Sequence, residues 1–374
     1  MLNTNTRKLT VVRKPNEPLR LEEGEAVHVG VDVHKASYSV ALFSDRRGLI
    51  ATWVQPARPE VLLERLRPVQ ERIAQIVYEA GPTGFGLARR LRAEGYTAQV
   101  IAPSKLLAPV GPEAKSDRLD CRRLAQFSAK GLLHPVRVPT EQEEADRQVL
   151  RLRELLVRKA HAVQAQIKSF LLQHGLDEPA GLARWSKKAV AALRGLVLVP
   201  ELRFCLDVLL DELAHAQEQV RRMTERLKGL AEADRHRKAV AVMSSVPGVG
   251  VLTAAAFRLE LPEPERFDHE GQVARMTGLA PQVRQSGQTR HEGGLLKSGN
   301  ARLRTVLVEA AWRWVRYDET AACRYRRLVG NTGSGKKAIV AMARRLGVLL
   351  WRLSVRGEPY RPSSLILIRS LDAQ

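Results

Sequence analysis

The chain has 374 residues, with 61 Lys and Arg against 40 Asp and Glu, a formal charge of +21 at pH 7. That length predicts two or three domains, each able to bury its own core, and 44% apolar with 27% charged residues excludes wholesale disorder. No apolar run is long enough to span a bilayer, and the basic N-terminus lacks the apolar stretch of a secretory signal. Cys121, Cys205 and Cys323 lie far apart without C-x-x-C spacing, which excludes a disulfide framework and a cysteine-built zinc site. The expectation is a cytoplasmic protein, with no membrane contact, whose partner is a polyanion. The basic excess gathers in the C-terminal third: 17 Lys and Arg against 5 Asp and Glu between Pro281 and Arg361. Such clustering supplies nucleic-acid affinity through counterion release.

Residues 1–25 read as a flexible, basic, proline-containing arm. From Ala26, AVHVGVDVHKASYSVALFS holds two β-rich runs, with Val27, Val29, Val31 and Val33 alternating in the first. IAQIVYEA and YTAQVIAP are further strand candidates, and GFGLARRLRAEG between them reads as a helix. The interleaving predicts an α/β domain over residues 26–140 with a mixed or parallel sheet. Residues 141–239 read as helical. Leu152, Leu156, Ala160, Val163, Ile167 and Phe170 recur at helical steps, and QHGLDEPA breaks them. Leu206, Leu209, Leu213, Ala216, Val220, Met223, Leu227 and Leu230 then step by three and four without a slip. That seam predicts an antiparallel helical hairpin or an intermolecular coiled coil; packing against a neighbouring domain is the plainer alternative. Residues 240–374 predict a mainly α C-terminal domain, with helices in VLTAAAF, NARLRTVLVEAAWRWV and KKAIVAMARRLGVLLWRL around a loop-rich stretch. Trp312, Trp314 and Trp351 are expected in its core.

Four carboxylates stand out. Asp32 lies inside the apolar strand GVDVHK, where an unpaired charge costs several kcal/mol. Glu79 closes the apolar run IVYEA ahead of Gly81-Pro82. Asp117 and Asp120, in KSDRLDCRRLAQF, share one helix face at i, i+3 spacing. Taken singly, each reads as a cap or a surface ion pair. Together, hard oxygens on a sheet and one helix face are what Mg²⁺ needs to assist a phosphodiester displacement. His34, beside Asp32, is a candidate proton carrier or a plain strand-end residue.

These segments resemble the three acidic motifs of the DEDD transposases of bacterial insertion sequences. The resemblance implies a RuvC-like, ribonuclease-H-like α/β fold for the first domain and the roles of D, E, D and D for Asp32, Glu79, Asp117 and Asp120, holding Mg²⁺ or Mn²⁺. It continues through VPGVGVLTAAAF and MTGLAPQVRQSGQTRHEGGLLKSGNARLRTVLVEAAW, similar to that family's C-terminal transposase domain. There a serine after the GLAP turn is the strand-exchange nucleophile. Ser286 occupies that place, with Ser298 in KSGN the alternative. The resemblance further implies a recombinase acting on double-stranded DNA, both element ends and target. It also implies an element-encoded bridge RNA as guide, a bacterial nucleoid setting, and assembly into dimers and a tetramer whose active sites combine two protomers.

From the residues themselves, Arg284 and Arg290 flank Ser286 and suit a scissile phosphate. Gly248 and Gly250 of VPGVG suit either a phosphate-binding helix-hairpin-helix turn or a plain turn. Lys297, Arg302 and Arg304 suit phosphate contacts or a solvated surface. GNTGSGKK nearly matches a nucleotide phosphate loop, but Lys337 stands where the hydroxyl residue belongs and no apolar strand precedes it. Lys336 and Lys337 are instead expected in a basic turn that touches nucleic acid. Two other functions remain open: a junction-resolvase-like nuclease that uses water, and an inactive nucleic-acid-binding copy.

Overall fold

Valines two residues apart put their branched side chains on one face of a pleated strand, where a covering helix can bury them. A computed structural model of the chain describes residues 17–103, 117–286, 289–296 and 298–362. They fall into two compact units, one up to Thr140 and one from Glu141. The first is built on a six-stranded mixed sheet of β1 (Val27–Val33), β2 (Ser37–Ser44), β3 (Gly48–Pro56), β4 (Ile73–Glu79), β5 (Ala98–Ile101) and β6 (Pro135–Val136), in the order β3-β2-β1-β4-β5-β6. β1 runs parallel to β4, and β4 to β5; the remaining pairs are antiparallel.

Val27, Val29 and Val31 are fully buried with the apolar residues of α1 (Pro59–Leu66) and α2 (Gly86–Ala93). The opposite face of the sheet, with Ala41 and Val77, packs on α3 (Asp117–Ala129) through Cys121, Leu124 and Ala125. The segment read as an arm is fixed from residue 17 onward: Leu19 and Leu21 pack on the core, and the fully buried carboxyl of Glu25 receives the Arg47 guanidinium. Chiefly through that hydrogen bond, Glu25 is held at a pKa of about 2. Residues 1–16 lie outside the described residues.

The second unit begins with α4 (Glu141–Gln173), which pairs with α6 (Pro200–Ala231); α5 (Lys187–Arg194) lies in the connection. Arg153 meets Thr224 and Lys159 meets Glu212, so the two long helices run antiparallel. The heptad seam is spent inside the chain: Leu206, Leu213, Ala216, Leu227 and Leu230 are buried, the first two among Val163, Ile167 and Leu171 of α4. This is the intramolecular hairpin rather than a demonstrated coiled coil. The phase departs from a strict heptad, because Leu210 is buried where Leu209 is only partly so. On α4, Leu150 is buried, whereas Leu152 is 38% exposed.

Beyond the hairpin come α7 (Asp234–Ser244), α8 (Val251–Glu260), α9 (Glu270–Met276), α10 (Ala301–Tyr317), α11 (Glu319–Thr332) and α12 (Gly335–Arg356). They pack around Trp314, Met342, Leu346 and Leu350, all fully buried. Trp351 is partly buried and donates to the Pro264 carbonyl. Trp312 departs from the core expectation: it is 49% exposed and meets Tyr325 edge-on. The stretch expected as loop holds a two-stranded hairpin, β7 (Pro281–Ser286) and β8 (Thr289–Leu295). Among the described residues, no helix is long and apolar enough to cross a membrane.

Where α4 meets α7, the buried Asp146 accepts two hydrogen bonds from Arg235, at 2.8 and 2.9 Å, lies 2.8 Å from His236 Nε2, and accepts another from Gln142. Burial pushes its carboxyl up, but the hydrogen bonds outweigh that and bring it to about 2, against 3.8 ordinarily. A depressed folded-state pKa stabilises above the unfolded value and loses that contribution as pH falls toward the folded one. The clasp is therefore complete above roughly pH 4 and lost toward pH 2. Acid unfolding of Asp146→Asn followed by circular dichroism should show a lower midpoint stability at neutral pH and a weaker dependence on pH between those limits.

Candidate active site

The two strand carboxylates stand side by side. In the parallel pair of β1 and β4, Val31 aligns with Tyr78, so the next positions along are Asp32 and Glu79, both half-buried. Asp32 is the penultimate residue of its strand rather than its midpoint. Alternation puts it on the side of Gly30, and puts Glu79 on the side of Val77; both sides are covered by α3. Gly30 lies so close to α3 that a Cβ would sit 2.0 Å from the Cys121 carbonyl oxygen and 2.6 Å from the Ala125 nitrogen. A glycine inside a strand is the sequence signal for such an approach.

Helix α3 starts at Asp117 and carries Asp120, half-buried, one turn later. Cys121 near Gly30 and Ser128 near His28 orient α3 so that its first turn lies toward the end of the sheet that bears Asp32 and Glu79. The Asp117 side chain lies outside the described residues. Proximity is felt chemically as well: burial first, and then the Asp32 carboxylate, push the Cys121 thiol up to about 11.

Local contacts hold the two strand ends. Ala80 N–H donates to the Ile101 carbonyl at 2.8 Å, which extends the ladder past Glu79. The Tyr78 hydroxyl donates to the Gly84 carbonyl and accepts from Ala88 N–H, which pins the Gly81-Pro82 loop. His34 Nε2 lies 3.1 Å from Asp32 Oδ2 and is 44% exposed. Across the sheet, His28 Nδ1 and Gln75 Oε1 both meet the Ser128 hydroxyl, which ties the far end of α3 to β1 and β4. Among the described residues no three His, Cys, Asp or Glu side chains converge as a ready metal cage. The donor set still fits a hard cation: partly exposed carboxylates, no thiolate, on rigid elements.

The second cluster surrounds the β7–β8 hairpin. Ser286 closes β7 and pairs with Thr289, so it sits at a strand end and not in an open loop. Arg284 pairs with His291 and Arg290 with Gln285; the side chains of Ser286, Arg284 and Arg290 lie outside the described residues, as does Lys297 entirely. At the hairpin's feet, Leu296 N–H donates to the Ala280 carbonyl and Asn300 N–H to Met276. There Gly278, at φ +68°, and Gly299 touch backbone to backbone, and a Cβ on Gly299 would come within 2.3 Å of Gly278.

Asn300 caps α10 by accepting from Arg302 and Leu303 N–H, and donates to the buried Glu260. Arg302 is committed to Glu154 at 2.7 Å, whose carboxyl burial pushes up despite that partner. Arg304 donates to the Gly278 carbonyl. Both basic residues thus have partners within the fold. Ser298 is exposed just before α10.

VPGVG joins α7 to α8 as a tight helical hairpin. Gly248, at φ +84°, abuts α10, where a Cβ would lie 2.7 Å from the Arg313 carbonyl carbon and the Trp314 nitrogen. Packing requires this glycine whether or not phosphate binds. Gly248→Ala should lower the melting temperature, at a cost of roughly 2 kcal/mol or more, whereas Gly250→Ala, with open space around it, should change it little. GNTGSGKK spans the end of α11 and the start of α12, with no strand before it: Gly333 ends α11 in the left-handed conformation, Ser334 caps α12 by accepting from Lys337 N–H, and Lys336 and Lys337 lie in the first turn of α12 and not in the turn expected for them. Lys336 and Lys337 are exposed there.

Two family models match this chain: the DEDD transposase model of the IS110 type over residues 29–175, and the transposase model of the IS116/IS110/IS902 family over residues 240–326. A putative transposase, y4qE, of Sinorhizobium fredii is 30% identical over 355 residues, 91% of this chain and 87% of the relative. A second from that organism, y4rJ, is 30% identical and covers 85% of each chain. The transposase of insertion sequence element IS1111A from Coxiella burnetii is 26% identical across 78% of this chain and 80% of its own. With two acidic motifs at adjacent ends of the central strands β1 and β4 and relatives matched over most of their length, the chain belongs to the IS110/IS116 family of insertion-sequence DNA transposases.

Proposed function

We propose that this transposase cleaves and exchanges DNA strands through Ser286, guided by an element-encoded bridge RNA. The adjacency of Asp32 and Glu79 at neighbouring strand ends beneath the first turn of α3 carries the reading. Asp32, Glu79, Asp117 and Asp120 would hold Mg²⁺ or Mn²⁺, which supplies Lewis-acid stabilisation of charge on the scissile phosphate. The Ser286 hydroxyl attacks phosphorus; its Oγ–P bond forms as one backbone P–O bond breaks, and the hydroxyl proton is lost as the departing sugar oxygen gains one. The phosphoserine ester keeps the bond energy, so a second sugar hydroxyl can rejoin the strand by the reverse displacement. Arg284 and Arg290 bracket the attacked phosphate, and Lys297, Lys336, Lys337, Arg302, Arg304 and the Gly248–Gly250 turn add backbone contacts. Carboxylates of one protomer and the serine of another meet in a dimer or tetramer.

The test is a cleavage assay with Mg²⁺, the RNA encoded beside the gene and matched duplex DNA. Wild type, Ser286→Ala and Asp117→Ala are compared for DNA covalently attached to protein. An adduct lost in both variants supports the reading. Cleavage without adduct that persists in Ser286→Ala makes the chain a hydrolytic nuclease, and metal-independent binding without product makes it an inactive copy.

A further inference from the structure

Trp312 of α10 is 49% exposed. Full burial of a tryptophan removes up to about 250 Å² from water, so leaving half of it out forgoes stabilisation that a core position would supply. Its packed neighbour is Tyr325 of α11, edge-on at 5.9 Å between ring centres. Tyr325 is itself half-buried against the helical core. The indole thus touches a fixed support and keeps ring surface in water. The contact continues to α12: Gly335 approaches Tyr325 so closely that a Cβ would lie 3.0 Å from its hydroxyl. The next two residues are Lys336 and Lys337, exposed in the first turn of α12.

The surroundings are cationic. Helix α10 carries four arginines and one acid, Glu309. Arg316, four residues after Trp312 and so on the same helix face, is exposed, with its Cζ 5.8 Å from the Tyr317 ring. Glu319 is taken by Arg326 at 2.7 Å, and among the described residues no carboxylate pairs with Arg316, Lys336 or Lys337. An exposed ring between cations of two helices fits one chemistry best. A nucleobase of any identity stacks on an aromatic face while its flanking phosphates meet the cations. The apolar side chain of a protein partner would use the ring but leave three cations without counterparts. Paired bases are already stacked on one another, so the ring suits an unpaired nucleotide.

We propose that Trp312, supported by Tyr325, is a stacking platform for an unpaired nucleobase, with Arg316, Lys336 and Lys337 on the flanking phosphates. The base belongs to a DNA or an RNA strand; the shared chemistry is a flat ring beside a phosphodiester. The assignment rests on the reading that this transposase handles nucleic-acid strands, and on neither Ser286 nor the carboxylates. The full chain is titrated across a salt series with fluorescent single strands of about 12 nucleotides: one of DNA, one of RNA, and one abasic strand that keeps only the phosphates. Wild type is compared with Trp312→Ala, Trp312→Phe and the double variant Lys336→Gln/Lys337→Gln. Trp312→Ala should bind a base-bearing strand about tenfold more weakly, with the slope of log affinity against log salt unchanged, and should bind the abasic strand as wild type does. Trp312→Phe should recover most of the loss, because a ring remains. The double lysine variant should weaken all three strands and flatten the slope by about 1.4, at roughly 0.7 per phosphate contact. The DNA and RNA arms identify the source of the base. Wild-type affinity of Trp312→Ala for both base-bearing strands overturns the proposal. So does an equal loss on the abasic strand. A melting temperature lowered by more than about 4 °C, or a changed oligomeric state without nucleic acid, overturns it too, by making Trp312 a packing or subunit-contact residue. Ser286→Ala is run in parallel: adducts that persist in it remove the nucleophile and leave the platform standing.

Discussion

Asp32→Asn should abolish most strand cleavage, by about a thousandfold or more, while leaving thermal unfolding nearly unchanged. The amide keeps the shape of the side chain but removes its charge, and one missing carboxylate in a cation site removes several kcal/mol of transition-state stabilisation, each 1.36 kcal/mol being a factor of ten. Folding should tolerate the change, because Asp32 is half-buried at a strand end. Single-turnover cleavage gives the rate. A second readout needs no activity at all: Asp32 helps to hold the Cys121 thiol at about 11, so in Asp32→Asn that thiol should titrate lower, by a part only, since burial is the larger cause. Wild-type cleavage in the variant would dismiss Asp32 from the chemistry.

Gly30→Ala should cost the first unit roughly 3 kcal/mol or more, a large loss for a single methyl group. The added carbon would fall 2.0 Å from a backbone oxygen of α3, and backbone cannot swing aside as a long side chain can. Helix and strand must separate instead, and the first turn that bears Asp117 and Asp120 moves with the helix. Stability and cleavage should therefore fall together, in contrast to Asp32→Asn. Denaturant unfolding measures the first loss. Gly86→Ala is the control: nothing lies within 4 Å of that Cβ, and alanine at a helix start should add up to about 1 kcal/mol. A Gly30→Ala protein as stable as wild type would show that α3 does not press on β1 there.

Much of the first unit is legible in the sequence because its signals are local. The valine alternation marks β1, the carboxylate within it stands out against apolar neighbours, and the Gly-Pro pair after Glu79 ends β4. What brings these residues together is less visible. That Asp32 and Glu79 are adjacent depends on β1 and β4 being paired in parallel, and the chain between them holds β2, β3 and α1. β3 itself hides in the mostly apolar run LIATWV, interrupted only by Thr52, which gives no period-2 signal. The β7–β8 hairpin hides for the opposite reason: PQVRQS and TRHEGGL are polar, and cross-strand backbone pairing rather than an apolar face sets their register. Spacing along α6 announces a seam but not its partner; only the packed α4 decides that the seam is filled from within. The Asp146, Arg235 and His236 clasp joins residues about ninety positions apart, beyond any local pattern.

The glycine contact at the feet of the hairpin has a mechanical consequence. Gly278 and Gly299 meet with no side chain between them, so the spacing of the two strands where they leave the helices is fixed by backbone thickness alone. The two strands β7 and β8 then extend from that joint. The six residues of β7 set Ser286 about 17 Å along the strand from Pro281, at roughly 3.3 Å per step. Inserting one matched pair of residues into each strand would advance the tip by about 7 Å without disturbing a single contact in the helical core. The length of the hairpin works as a ruler, and the reach of β7 can be reset independently of the stability of the domain that bears it.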